Sequence, residues 1–261
     1  IFAILLAGVI IGGMPSIGSV TSKLVPFMAT LYVGMAVIVL VSHYDQIGAA
    51  FEQIFIGAFT GAGVAGGFIG ALIQGLKRAT FSNEAGVGSA AIAHSAVKTK
   101  EPITEGFVSL LEPFIDTVVI CTMTALVIII SGMNTGALSG VTLTAAAFTE
   151  TSFIFEYFLA LAVVMFAFST MVSWSYYGLK AWTYLFGEGA TTELVYKGIF
   201  CLFVIVGTSI SFGAVIDFSD AAMFSMSIFN IIGLYYLMPI VKKELNSFVA
   251  RVNSGEIKRY K

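Results

Sequence analysis

Apolar stretches recur along the chain at about residues 1–12, 24–42, 52–76, 105–132, 153–179, 196–216 and 220–241, separated by short clusters of charge or glycine. A helix rises ~1.5 Å per residue and needs roughly 20 mostly apolar residues to cross a bilayer. The pattern therefore predicts an all-α polytopic membrane protein with seven transmembrane helices. Stretches such as Val118–Ile130 are apolar without alternation, which argues against the strands of a membrane β-barrel. The first stretch is too short to cross, so the chain is expected to begin inside a helix, with further helices upstream. A cleaved signal peptide is not expected, because no basic leader or small-residue cleavage pattern opens the chain.

Composition agrees with this reading. Of the residues, 58% are hydrophobic and 11% charged, and the mean hydropathy is +0.96, beyond what a soluble domain sustains. Cys121 and Cys201 fall inside apolar stretches, where cysteine acts as a small hydrophobe, and their spacing suggests neither disulfides nor zinc.

The net charge of -2 says less than the placement of the 13 basic residues. They sit at Lys23, at Lys77, Arg78, Lys98 and Lys100, at Lys180 and Lys197, and at Lys242, Lys243, Arg251, Lys258, Arg259 and Lys261, in alternate predicted loops. By the positive-inside rule these loops and the C-terminus are cytoplasmic. Residues 43–51, 133–152 and a turn at 217–220 then face outward. The organisation expected is a membrane domain over 1–241 and a cytoplasmic tail over 242–261. In that tail, charges alternate with Leu245, Phe248, Val249 and Val252, as in an amphipathic surface helix or an ordinary solvated end.

Three features could carry chemistry. Gly57, Gly61, Gly63, Gly66, Gly67 and Gly70 crowd the third stretch, and each interior glycine weakens a helix by ~1 kcal/mol relative to alanine. The run suits a helix broken at membrane depth around a solute site, or close helix packing through small residues. In the fifth stretch, helical spacing aligns Phe166, Ser169, Thr170, Ser173, Trp174 and Tyr177. Hydroxyl oxygens suit a weakly held cation such as Na⁺ and an indole suits the apolar side of a small zwitterion, whereas back-bonding to the helix and an interface belt are the plain alternatives. Asp116, expected about a third of the way across the fourth stretch, would cost ~2.5–3.5 kcal/mol on insertion scales. A proton relay, a cation ligand and a buried structural acceptor all remain open for it. Glu105 and Glu112 are expected to be hydrated, and His43 and His94 to be solvated loop histidines.

The glycine-rich loop Gly75–Ser89 lacks a phosphate-binding GxxxxGK[ST] pattern. Ser82 and Asn83 are expected to cap a helix from Glu84 to about Lys98. HExxH, a nucleophile elbow and paired intramembrane carboxylates are all absent from the sequence, so neither catalysis nor a cofactor nor a nucleic-acid partner is expected.

The chain resembles the alanine/glycine:cation symporters, also called sodium:alanine symporters. The resemblance rests on Gly12-Gly13 with Leu24-Val-Pro-Phe-Met28, on Ala58-Phe59 to Gly66-Gly67, and on Arg78 followed by Phe81-Ser-Asn-Glu-Ala-Gly-Val-Gly-Ser89. Ile115-Asp-Thr-Val-Val-Ile-Cys-Thr122 and Phe166-Ala-Phe-Ser-Thr170 complete it. It runs essentially from end to end, but the family's N-terminal helices are absent. It implies a leucine-transporter-like inverted-repeat fold of which core helices four to ten are present. It also implies sodium-coupled uptake of alanine or glycine by alternating access across a bacterial or archaeal plasma membrane. On this mapping Phe59, Thr60 and Gly61 line the substrate pocket, Trp174 closes it, and Ser169 and Thr170 hold sodium. Proton coupling through Asp116 and a nontransporting membrane scaffold are the competing readings.

Overall fold

The structure, a computed structural model, describes residues 1–59 and 67–257. Its helices are α1 (Phe2–Ile11), α2 (Gly13–Ser42), α3 (Ile47–Phe59), α4 (Gly67–Asn83), α5 (Ser89–His94), α6 (Pro102–Ile130), α7 (Gly140–Thr151), α8 (Ile154–Phe186), α9 (Ala190–Gly207) and α10 (Phe212–Asn253). The middle of α6, Phe114–Cys121, is π-helical. Among the described residues there are no strands.

Among the described residues five helices, α2, α6, α8, α9 and α10, are long and apolar enough to cross a membrane. The first stretch supplies only the 10-residue α1. The third is shared between α3 and α4, and residues 60–66 between them lie outside the described residues. Three boundaries also move. Helix α2 begins at Gly13, in the left-handed region at φ 67°, so Lys23 is an exposed helical residue rather than a loop residue. The predicted outer loop 133–152 contains α7. The turn into the last span lies at 208–211, not 217–220.

The chain divides into two compact units. The first comprises residues 1–76 and 118–210. Its core joins Tyr32, Met35, Ala36 and Val39 of α2 to Val127 of α6, Ala147 and Phe148 of α7, and Phe155 and Leu159 of α8. Phe148 is fully buried and meets Tyr32 at 5.6 Å and Phe155 at 6.5 Å between ring centroids. A segment too short to span is thus a main core element. The phenol of Tyr32 finds a polar partner in Thr124, 2.6 Å away. Thr124 gives its own proton to the Ile120 carbonyl, which leaves Tyr32 as the donor.

Helices α8 and α9 also pack in this unit, where the Tyr196 hydroxyl fills the space a side chain at Gly178 would occupy. Small residues allow such close approach of membrane helices.

The second unit comprises residues 77–117 and 211–261, described to residue 257. The segment 77–107 follows α10 through three polar attachments. Arg78 donates to both carboxylate oxygens of Asp220 at 2.8 and 2.7 Å, and Lys77 joins the same carboxylate. Asn230 donates to the Gly86 carbonyl at 2.9 Å. Arg251 grips Glu101 with two bonds of 2.7 and 2.6 Å and holds that carboxyl below its ordinary range. Between them pack Phe81 on Phe224 and Phe107 on Phe248.

The first attachment departs from the loop-charge reading, which put Lys77 and Arg78 on the inner side and Asp220 in an outer turn. Asp220 lies instead two turns inside α10 and is only 5% exposed. A buried carboxylate is costly unless paired, and these two cations pair with it.

Replacing Gly178 by valine should separate α8 from α9, because the Tyr196 hydroxyl cannot retreat without unpacking its ring. Overpacking of this kind costs roughly 1–3 kcal/mol. Thermal unfolding of the complete protein in detergent should show a lowered midpoint, partly restored by adding Tyr196→Phe.

Candidate functional site

Ser169 and Thr170 occupy the middle of α8, with Trp174 one turn further on. Ser169 is buried, and its hydroxyl donates to the Phe166 carbonyl at 3.0 Å and approaches the Met28 sulfur of α2 at 3.7 Å. Thr170 is exposed. The predicted stripe thus splits, since adjacent helical residues point ~100° apart. Trp174 is half-buried and stands edge-on to Tyr177, ring centroids 5.6 Å apart.

Phe59 ends α3, is 68% exposed, and stacks on Phe68 at 5.3 Å with the rings 17° apart. Thr60 and Gly61, the other substrate candidates, lie outside the described residues.

A second polar group assembles where α4 ends beside the π-helical part of α6. Ser82 donates to Asp116, and so does Thr117 at 3.4 Å. Asn83 donates from Nδ2 to the Thr117 hydroxyl at 2.8 Å. Asp116 lies midway along α6, as far from Pro102 as from Ile130.

The residues that complete this group were expected to cap a long helix. Asn83 does accept the Ala85 N–H at 3.0 Å, but no helix follows directly. Glu84, Gly86 and Gly88 all take positive φ values, 54°, 81° and 106°, which a right-handed helix cannot accommodate. That leaves only the six-residue α5 and frees Ser82 to reach Asp116.

A third constellation joins His94, at the end of α5, to the N-terminal part of α6. His94 contacts Glu105 through Nδ1 at 2.6 Å and Glu112 through Nε2 at 3.2 Å. It is therefore an ion-pair centre rather than a solvated loop residue, and Glu105, at 18% side-chain exposure, is largely shielded. Burial disfavours the charged ring, yet the two carboxylates outweigh it and raise the pKa above 6.5. Sequence separation hid the pairing. Only a helical face shared by Glu105 and Glu112, seven residues apart, could have suggested a common partner. His43 bonds the Val39 carbonyl of its own chain turn at 3.0 Å.

The long apolar helices define a multi-pass membrane protein. The chain belongs to the sodium:alanine symporter family, whose pattern matches residues 1–261. It is 39% identical over 253 residues to "Sodium/alanine symporter AgcS" of Methanococcus maripaludis, covering 95% of this chain and 55% of that protein. It is 32% identical over 253 residues to "Probable sodium/glutamine symporter GlnT" of Bacillus subtilis, covering 95% of this chain and 52% of the relative. A third relative, "Amino-acid carrier protein AlsT" of Bacillus subtilis, is 30% identical over 257 residues, 98% of this chain and 55% of its own length. The chain thus spans about half the length of these relatives. The family is one of transporters, not enzymes.

The His94 contacts give a pH dependence of definite sign. A pKa raised by folding stabilises the folded state below the unfolded value of about 6.5, and that contribution fades as pH rises through the folded value. In the complete protein, the difference in thermal midpoint between the wild type and His94→Gln should be largest near pH 6 and shrink by about pH 8. An unchanged difference would mean that the ring stays neutral.

Proposed function

We propose that the complete protein is a sodium-coupled symporter of small neutral amino acids, alanine or glycine, working by alternating access. The observation that carries this reading is the Ser169–Thr170 hydroxyl pair at the centre of the apolar helix α8. Two neighbouring hydroxyls there offer hard oxygen ligands, and the exposure of Thr170 leaves that ligand open to an ion and to whatever segment completes the shell. On this reading Trp174 closes the pocket, and Phe59, Thr60 and Gly61 line it where α3 gives way to α4.

Support for amino acids as cargo comes from relatives named for alanine and for glutamine. The aromatic side chains of Phe59 and Trp174 in the candidate lining favour a small neutral side chain over a charged one. The fold proposed is the leucine-transporter-like inverted repeat, in which half-helix ends face substrate and ion. The location proposed is the plasma membrane, with the C-terminus in the cytoplasm. The 42 residues of α10 would rise ~63 Å at 1.5 Å each, against a hydrocarbon core of about 30 Å. The basic end from Lys242 onward therefore projects beyond the lipid.

Coupling requires sodium to bind one conformation better than another in the presence of substrate. Labelled alanine and glycine should accumulate in proteoliposomes containing the complete protein under an inward sodium gradient, and not under a proton gradient alone. The double substitution Ser169→Ala with Thr170→Ala should raise the half-saturating sodium concentration about tenfold or more, since two ligands are lost, with unaltered expression. Unchanged sodium activation would remove both residues from the site. Absence of accumulation under either gradient would favour a nontransporting scaffold.

A further inference from the structure

We propose that Asp116, Thr117 and Ser82 form a second sodium site, distinct from Ser169 and Thr170, where the end of α4 meets the π-helical part of α6. The proposal rests on the reading of the protein as sodium-coupled.

The argument starts from charge. Asp116 sits within α6, a helix long and apolar enough to cross a membrane, and a carboxylate inside such a segment costs up to ~2.5–3.5 kcal/mol unless something compensates it. Five other acids in the described residues are compensated by bases. Asp220 has Lys77 and Arg78, Glu101 has Arg251, Glu193 has Lys197, and Glu105 and Glu112 share His94. The partners of Asp116 among the described residues are the hydroxyls of Ser82 and Thr117. Hydroxyls orient a carboxylate but do not neutralise it. The missing element is a positive charge.

The donor set selects the kind of cation. One carboxylate and two hydroxyls are hard oxygen ligands, unsuited to soft metals. A single negative charge matches a monovalent ion and falls short of what calcium sites supply. Each hydroxyl that now donates to Asp116 can rotate and present a lone pair to an ion instead. Asn83 already holds the Thr117 oxygen in place at 2.8 Å.

The backbone adds to this. Ser82 lies in the last turn of α4, which ends at Asn83, and the C-terminal end of a helix carries negative partial charge that favours cations. The Glu84 residue that follows, at φ 54°, ends the right-handed helix and turns the chain away. The π-helical segment Phe114–Cys121 widens the α6 backbone at the level of Asp116, a distortion often found at functional sites.

The test uses the complete protein purified in detergent, with equilibrium binding of radioactive sodium beside the sodium dependence of alanine uptake in proteoliposomes. Asp116→Asn, nearly isosteric, should lower bound sodium by about one ion per protein and flatten the sodium activation curve. Ser82→Ala keeps the carboxylate and serves if the first variant misfolds. It should raise the half-saturating sodium concentration roughly three- to tenfold, the effect of one neutral ligand. Unchanged sodium binding in both variants would overturn the site. Unchanged binding in Asp116→Asn together with a lost pH dependence of uptake would also overturn it, in favour of a proton carrier. Absence of sodium binding by the unsubstituted protein would overturn both this site and the sodium-coupled reading, whereas sodium-dependent uptake with unaltered variants sinks this site alone.

Discussion

A polar group held inside an apolar slab must find its partner within the protein, because no water is there to supply one. Much of this chain's tertiary structure follows from that constraint. In the second unit it appears as attachments along α10, where the buried carboxylate of Asp220 takes two cations and Asn230 takes a loop carbonyl. In the first unit it appears as Tyr32 bonded to Thr124 in the middle of an otherwise apolar core. Asp116 is notable under the same constraint because its partners are hydroxyls that carry no charge.

Between helices, the lipid offers no hydrophobic drive for association, so packing must come from shape and from a few polar contacts. Gly178 under the Tyr196 hydroxyl is such a shape match. The aromatic cluster of Tyr32, Phe148, Phe155 and Phe166 is another. Large apolar side chains such as Phe203 and Phe229 are 67% and 77% exposed, which suits lipid-facing helix surfaces. Gly88 shows the same economy in a loop. Its left-handed backbone brings it within 3.2 Å of Asn230, measured from where a Cβ would stand, so the residue that fixes the Gly86 carbonyl also leaves no room for a side chain.

Ser82 and Asp116 lie where a helix ends or its pattern changes, Ser82 in the last turn of α4 and Asp116 in a π-helical stretch. Interrupted helices expose backbone dipoles and free side chains from the regular ladder, and both can hold a solute or an ion. Ser169 and Thr170 differ, since α8 runs unbroken past them and only their side chains are on offer.

The sequence by itself determined the class of protein and the course of the long helices. Apolar runs of bilayer length can satisfy their backbone only as helices, so α6 and α8 fall close to where hydropathy puts them. It also marked Asp116, because a lone carboxylate in such a run is conspicuous from composition alone. Only the tertiary structure decided the rest. Residues 140–151 read as a loop because they are too short to span, yet Phe148 is the centre of a core assembled from four helices. His94 read as solvated because Glu105 and Glu112 belong to another helix. Ser82 read as a cap because the left-handed turn from Glu84 to Gly88, which ends the helix and delivers the hydroxyl to Asp116, is a matter of backbone angles. Hydropathy records how each residue meets its solvent. Which residues meet one another depends on how helices far apart in the chain pack together, and that information is not carried by periodicity.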